Sequence, residues 1–204
     1  MRITDLLSKD GIELNVNAKD KNDIINKMTK LMLKTGRITD LNAYTELVLK
    51  REEEGSTGVG EGIAIPHGKG DCVTEPGLVA MVVPNGVEYD ALDGKPVNLL
   101  FMIAAPNTSD NVHLDVLSRL STMLMDTEFK NKLISAKSKE EFLNIINETE
   151  NEKFKEETRY TGEVKIVSSK ETKIYTNKEL NRSIINPAQI KLILSTYRDV
   201  VYTE

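Results

Sequence analysis

Apolar residues recur at helical spacing over two stretches in the first quarter of the chain. The first stretch runs over residues 20–34 and is followed by Gly36, which stands where a helix C-cap is expected. Its apolar residues are Ile24, Ile25, Met28, Leu31 and Met32. The second stretch starts near Thr39 or Asp40, and the next step of its apolar face is Arg51. Its apolar residues are Leu41, Tyr44, Leu47 and Val48. The pattern predicts two amphipathic helices, with the Arg51 guanidinium at the end of the second.

Three apolar runs of strand length follow, at residues 62–65, 78–83 and 97–103. The second and third runs are nearly continuous rather than alternating, which is typical of strands that are covered on both faces. Residues that favour turns separate the runs: Pro84, Asn85-Gly86 and Asp93-Gly94. The pattern predicts a buried sheet.

Helical periodicity returns after the last apolar run. Ser109 or Asp110 stands where a helix N-cap is expected. The apolar side of that helix holds Val112, Val116, Leu117, Leu120, Met123 and Leu124. Two shorter helices are expected over residues 127–135 and 138–146. Helices before and after a doubly covered sheet predict an α/β domain, a three-layer sandwich of a mixed β-sheet flanked by helices.

The character of the chain changes near residue 148. Residues 148–157 are charged and nearly devoid of apolar groups, which indicates a linker or an exposed helix end. Two short alternating runs, 164–166 and 172–176, are typical of hairpin strands, and a last helix is expected from Asn186-Pro187 onwards. We therefore predict a main domain over residues 1–150. Residues 151–204 would be a linker and a small C-terminal extension, packed on that domain or on a second subunit.

Composition narrows the class of protein. The 204 residues are 39% hydrophobic and 29% charged, with a formal net charge of −5. An acidic balance argues against a nucleic-acid binder, because phosphate neutralisation needs clustered Lys and Arg. The single Cys72 fits a reducing compartment. Neither a secretory leader nor an uncharged run long enough to insert in a membrane is expected from the sequence, so we predict a cytoplasmic protein.

The candidate chemistry is concentrated between Arg51 and His67. Glycines at 55, 58, 60 and 62 permit close backbone approach to an anion, and the hydroxyls of Ser56 and Thr57 and the amide near Gly58 are potential phosphate donors. Imidazole is the one side chain that is an unprotonated nucleophile near neutral pH without a shifted pKa. The pattern thus fits a histidine that carries a phosphoryl group. Two alternatives stay open: a structural imidazole bonded to a strand carbonyl, and an arginine that only complements its helix dipole.

The glycine-rich segment lacks the Lys-Ser/Thr ending of a P-loop and is followed by no acidic cluster for magnesium, so a nucleotide-dependent kinase is not expected. The other histidine, His113, falls in the first turn of a predicted helix, where a neutral ring can donate to a phosphoryl oxygen. A satisfied, partly buried histidine is the alternative. Two imidazoles alone make a poor metal site, and we predict neither a metal nor a cofactor.

Five further residues near this segment have simpler interpretations. Cys72 is expected to be a passive, partly buried thiol. The acidic run 52–54 is expected to be solvated, and Glu61 to face solvent or a basic partner, because a carboxylate would repel a bound phosphate.

Four segments resemble the mannitol/fructose-type IIA domains of the phosphoenolpyruvate-dependent sugar phosphotransferase system. The segments are Ser56-Thr-Gly-Val-Gly-Glu-Gly-Ile-Ala-Ile-Pro-His-Gly-Lys69, Leu92-Asp-Gly-Lys-Pro-Val97 with Leu100-Phe-Met-Ile-Ala-Ala-Pro106, and Asn111-Val-His-Leu-Asp-Val-Leu-Ser-Arg-Leu-Ser121. The likeness covers roughly residues 1–150.

The resemblance implies that His67 is phosphorylated by the histidine-containing phosphocarrier protein HPr and passes the group to a cysteine of a IIB component. It implies supporting roles for Arg51 and His113, and uptake of fructose or a hexitol. Residues 151–204 contain no cysteine, so they are not expected to be a working IIB domain. A regulatory module of the nitrogen-linked type and a metal-dependent hydrolase remain alternatives, and the oligomeric state is left open.

Overall fold

The computed structural model describes residues 2–108, 112–154, 165–168 and 171–174, with side chains over 2–108 and 114–151. The chain divides into two compact units, residues 1–146 and 147–204.

The first unit is built on a six-stranded mixed sheet. Its strands are β1 (Leu7–Glu13), β2 (Gly58–Gly60), β3 (Ile63–Ala64), β4 (His67–Gly70), β5 (Gly77–Val87) and β6 (Val97–Pro106). They lie in the order β1-β5-β6-β3-β2, and β4 also pairs with β6. The β5–β6 pair is antiparallel, with Leu78 opposite Ile103, whereas β1 runs parallel to β5. Both β3 and β4 run parallel to β6, one after the other along the same side.

Helices cover both faces of this sheet. They are α1 (Ile3–Leu6), α2 (Lys21–Lys34), α3 (Leu41–Glu54), α4 (Val112–Leu124), α5 (Thr127–Ser135) and α6 (Lys139–Phe154). Alternate residues of β5, such as Val79 and Met81, share one buried cluster with α2 and α3. On the opposite face Phe101 of β6 packs against Phe142 of α6, with ring centroids 6.1 Å apart. The predicted three-layer α/β fold with a mixed sheet is therefore confirmed.

The predicted helix starts are confirmed by their caps. Asp20 accepts from the amide of Asp23 at 2.8 Å, and Asp40 accepts from the amide of Ala43 at 3.0 Å. Each carboxylate satisfies one of the amides that lack a partner inside the helix. Gly36 follows α2 with φ 74°, as a residue just beyond a helix C-cap often does.

The turn predicted at Pro84 and Asn85-Gly86 is wrong. Strand β5 continues through these residues to Val87, and the register with β6 shifts between Val82 and Val87. A bulge of this kind accommodates turn-forming residues inside a strand. The turn at Asp93-Gly94 is present, closed by the Gly94 amide on the Ala91 carbonyl at 2.9 Å.

In the second unit the structure describes an antiparallel pair, β7 (Lys165–Ser168) and β8 (Glu171–Ile174), which confirms the predicted hairpin strands. The charged stretch is helical as far as Phe154 in α6. The helix expected from Asn186 lies outside the described residues. None of the helices that the structure describes has the length and apolar composition that crossing a membrane requires.

Candidate functional site

His67 is the first residue of β4, and its position along the sheet is fixed by β6. It pairs with Ile103, whose amide donates to the Pro66 carbonyl at 3.0 Å. Pro66 interrupts the strand between β3 and β4, because it has no amide to give to the sheet. The interruption leaves the imidazole half-buried at the point where the chain resumes pairing.

The imidazole orientation follows from one hydrogen bond. Nδ1 of His67 lies 2.9 Å from the carbonyl oxygen of Ile65. A carbonyl oxygen only accepts, so Nδ1 carries the proton, and in the neutral ring Nε2 carries the lone pair. The two interpretations of His67 are thus compatible: Nδ1 makes the structural bond to a carbonyl, and Nε2 carries the lone pair of a nucleophile.

Arg51 stands in the last turn of α3, close to the loop that precedes β2. Helix α3 comes close to β4 because Gly68 has no side chain, and a Cβ there would lie 3.0 Å from Tyr44 Cε2. The Tyr44 hydroxyl donates to the carbonyl of Ile103 at 2.9 Å, which fixes the helix to the strand opposite His67. The guanidinium Nη1 of Arg51 donates to the Gly55 carbonyl at 3.1 Å. A planar cation is therefore held beside the glycine-rich loop.

Ser56 and Gly58 form a tight turn in that loop. The Ser56 hydroxyl donates to the Tyr89 carbonyl at 3.2 Å and accepts from the Gly58 amide at 3.1 Å. A Cβ on Gly58 would lie 2.8 Å from the backbone Cα of Ala91, so this position requires glycine. Their predicted role in phosphate binding stays a prediction.

Glu52 corrects the expectation that residues 52–54 are solvated. Glu53 and Glu54 are exposed, but Glu52 is only 8% exposed. Its Oε2 accepts from the Thr57 amide at 3.2 Å and lies 2.8 Å from Nζ of Lys21. Its Oε1 accepts from the Thr57 and Tyr89 hydroxyls, the latter at 3.0 Å. A carboxylate is stable at this depth only with such partners.

The helical spacing of the sequence already indicates that Glu52 faces inward. Glu52 follows Tyr44 and Val48 at steps of four, and these are the three buried positions of α3. Leu41 and Leu47, which we assigned to the apolar stripe, are only partly buried. The inward face of α3 thus ends on a carboxylate.

Thr57, predicted to bind phosphate, gives both its amide and its hydroxyl to Glu52. A direct phosphate contact from either group would require Thr57 to release Glu52. Burial first, and the nearby Glu52 carboxylate second, raise the pKa of the Tyr89 hydroxyl above its usual value.

The far end of the loop is fixed by Lys130 of α5, a residue that the sequence did not indicate. Its Nζ donates to the Glu61 carbonyl at 2.8 Å, and the Glu61 amide donates to Asp93 Oδ2 at 2.9 Å. Glu61 has φ 56°, which these two bonds support. Its side chain is 68% exposed with Lys130 at 3.8 Å, so the expectation of a solvent-facing carboxylate with a basic neighbour is confirmed.

His113 is the second residue of α4, in the first turn as predicted. Its side chain, like Ser109 and Asp110, lies outside the described residues. Cys72 is half-buried, and burial raises the pKa of its thiol, which agrees with a passive role. Within the described part of the chain, no three metal-binding side chains gather into a potential ion site.

The fold and this site define an α/β domain that presents a tautomerically fixed histidine at a sheet edge, beside an arginine and a glycine-rich loop. The family model for the phosphoenolpyruvate-dependent sugar phosphotransferase system, EIIA 2, matches residues 5–149. The chain therefore belongs to the EIIA 2 family of that phosphotransferase system, whose members transfer phosphoryl groups through a histidine.

Three similar proteins illustrate the match. The fructose-specific EIIABC component of Bacillus subtilis is 45% identical over 148 residues, which is 72% of this chain and 23% of that protein. This chain thus spans about a quarter of that relative. The nitrogen regulatory protein IIA-Ntr of Neisseria meningitidis superposes with a TM-score of 0.67 at 30% identity, over 71% of this chain and 98% of that one. Enzyme IIA-mannitol of Escherichia coli, solved with phosphorylated enzyme IIB-mannitol, gives a TM-score of 0.62 at 28% identity. The match covers 70% of this chain and 99% of that one.

Proposed function

We propose that this chain accepts a phosphoryl group on Nε2 of His67 and passes it to a cysteine of a IIB component. The observation that carries the proposal is the bond between Nδ1 and the Ile65 carbonyl, 2.9 Å long, which places the lone pair on Nε2. The family supplies the class of reaction.

In the first step the Nε2 lone pair attacks the phosphorus of a phosphohistidine on HPr. The new N–P bond forms as the donor N–P bond breaks, and the donor imidazole leaves with the electron pair of that bond. The phosphorylated ring of His67 retains its Nδ1 proton, which still donates to Ile65. Little covalent chemistry is asked of the protein beyond this nucleophile, so positioning and charge stabilisation dominate.

The supporting roles follow from position. Arg51 offers a planar fork of N–H donors to phosphoryl oxygens. Ser56 and Gly58 shape the loop that faces the group, and Thr57 holds that loop through Glu52. His113, in the first turn of α4, is the proposed second donor.

In the second step a cysteine thiolate of IIB attacks the same phosphorus. The S–P bond forms, the N–P bond breaks, and the electron pair returns to Nε2. The names of the relatives favour fructose or mannitol as the sugar of the system. We place this relay in the cytoplasm, with which the single cysteine, Cys72, accords.

The test is phosphoryl transfer from labelled phosphoenolpyruvate through enzyme I and HPr. The wild type should take up one acid-labile phosphate. His67→Ala should take up none, whereas His113→Ala, the matched removal of the other imidazole, should still be labelled at a lower rate. Equal labelling of His67→Ala would overturn the proposal.

A regulatory role is the second candidate, and the structural match to IIA-Ntr favours it. Transfer separates the two functions. A carrier loses its label within a turnover when a fructose- or mannitol-type IIB is added. A regulator keeps its label and instead binds a protein partner in only one phosphorylation state.

A further inference from the structure

Glu52 is a buried carboxylate near the site, and both of its side-chain oxygens have polar partners. Four donors on three residues converge on its two oxygens: the Thr57 amide and hydroxyl, the Tyr89 hydroxyl and the Lys21 ammonium. Lys21 also lies over the Tyr89 ring, 4.9 Å from its centroid. A charged group of this kind is costly to bury without such partners.

A continuous chain of hydrogen bonds runs from Glu52 to the imidazole of His67. The Glu52 carboxylate holds Thr57 by its amide, at 3.2 Å, and by its hydroxyl. The Thr57 carbonyl accepts from the Ile65 amide at 3.0 Å. The Ile65 carbonyl in turn accepts from Nδ1 of His67 at 2.9 Å. Each residue after Glu52 thus uses one polar group towards Glu52 and another towards His67.

We propose that Glu52 is a positioning residue for His67, which it holds in the Nδ1-protonated tautomer through Thr57 and Ile65. The inference rests on the proposed phosphorylation of His67. The Ile65 carbonyl selects the tautomer only while it stays within hydrogen-bond distance of the ring. Its position depends on Thr57, because Ile65 precedes Pro66, where the sheet pairing of this edge is interrupted.

The position of Glu52 next to Arg51 extends this role to the cation. Arg51 donates to the Gly55 carbonyl at 3.1 Å, and the Gly55 amide donates to the Glu52 carbonyl at 3.2 Å. Residues 55–57 are therefore fixed to the end of α3 at both ends. Loss of the contact between the Glu52 carboxylate and Thr57 would therefore free the loop that lies between His67 and Arg51, and both side chains would lose their fixed positions.

The test compares Glu52→Gln with Glu53→Gln in the full chain. Both substitutions remove one negative charge at the end of α3, but Glu53 is exposed. Glutamine at 52 turns an NH₂ group towards donors, so one oxygen's contacts are lost. We expect Glu52→Gln to slow phosphorylation by HPr about 10- to 100-fold, since small displacements of a reacting group have effects of that order. Glu53→Gln should stay within about twofold, as expected for an exposed carboxylate screened by solvent.

The second readout is the His67 tautomer, measured by long-range ¹H–¹⁵N correlation on protein labelled at histidine nitrogens. The wild type and Glu53→Gln should show a protonated Nδ1 and an unprotonated Nε2 for His67. Glu52→Gln should show a mixture of the two tautomers. A role confined to stability would lower the melting temperature and leave this signature unchanged in the folded protein.

Tyr89→Phe keeps the test decisive if Glu52→Gln does not fold, because it removes a single donor to Oε1 at nearly constant volume. It should shift the tautomer ratio in the same direction and slow transfer several-fold less than the glutamine variant. The positioning role is overturned if the folded variants keep the wild-type tautomer and rate. A wild type that is never phosphorylated on His67 would instead overturn the proposed function, while the tautomer spectra would still decide the role of Glu52.

Discussion

The guanidinium of Arg51 contributes geometry as well as charge. It reaches the Gly55 carbonyl from the last turn of α3. The neighbouring Glu52 accepts from the amide of Thr57, two residues after Gly55. A fork of parallel N–H groups can keep this backbone bond and still offer donors to phosphoryl oxygens. A lysine has the charge but a single donor centre.

Arg51→Lys should therefore lower the rate of phosphorylation about 100-fold, in the range found when one donor to a developing oxyanion is removed. The melting temperature should stay close to that of the wild type, because the side chain is only half-buried. Arg37→Lys is the matched control, since Arg37 is also partly buried and pairs with an exposed carboxylate, that of Glu75. Stopped-flow mixing of each variant with phosphorylated HPr measures the two rates. A fully active Arg51→Lys would show that charge alone suffices.

The contact between α3 and β4 determines where the arginine and the histidine stand. A Cβ on Gly68 would meet Tyr44 Cε2 at 3.0 Å and Val48 Cγ2 at 3.1 Å, and both side chains are fully buried. Tyr44 is further fixed by its bond to Ile103. On Gly70 a Cβ would meet the end of the Leu47 side chain, and that residue is only partly buried. The same strand therefore holds one rigid and one adaptable contact.

Gly68→Ala should lower the free energy of unfolding by about 1–3 kcal/mol, the usual effect of overpacking a rigid site. Gly70→Ala should change it by less than about 1 kcal/mol, because Leu47 can change rotamer and alanine restricts the unfolded chain. Urea denaturation of both variants measures the difference. Equal losses would mean that α3 shifts as a body and that neither contact fixes its distance from β4.

The helices were predictable because their apolar spacing and caps agree, as Asp20 and Asp40 show. Strands β1 and β4 were not. In β1 the exposed residues Ser8, Lys9 and Asp10 interrupt the apolar pattern, and the strand is defined by its pairing with β5. In β4 the sequence His-Gly-Lys-Gly has little strand preference and pairs because β6 lies beside it.

The candidate site divides in the same way. His67 and Arg51 could be found from local sequence, because a glycine-rich loop and a helical stripe indicate them. The buried state of Glu52 depends on Lys21 and Tyr89, which are distant in sequence, and only the fold brings them together. The cluster that orients a site is thus harder to predict than the residues that react.

At the scale of the whole chain, the family match covers the first three quarters and leaves the C-terminal part outside it. The family model matches residues 5–149, and the apolar core of the described residues extends from Ile3 to Ile146. The sequence contains one cysteine, Cys72, which lies within the matched part. Under the proposed function the accepting IIB cysteine lies in another polypeptide or another segment, since residues 151–204 offer no thiol.

A chain that ends after residue 154 tests how the two parts divide the work. This end keeps the described extent of α6, Lys139–Phe154, and it removes only residues beyond the family match. Since a domain with its own core folds independently, we expect a cooperative melt and a phosphorylation rate within about twofold of the full chain. Calorimetry and the labelling assay measure the two properties. A tenfold slower rate at an unchanged melting temperature would assign residues 155–204 to docking of HPr, whereas a lost melt would make them part of the fold.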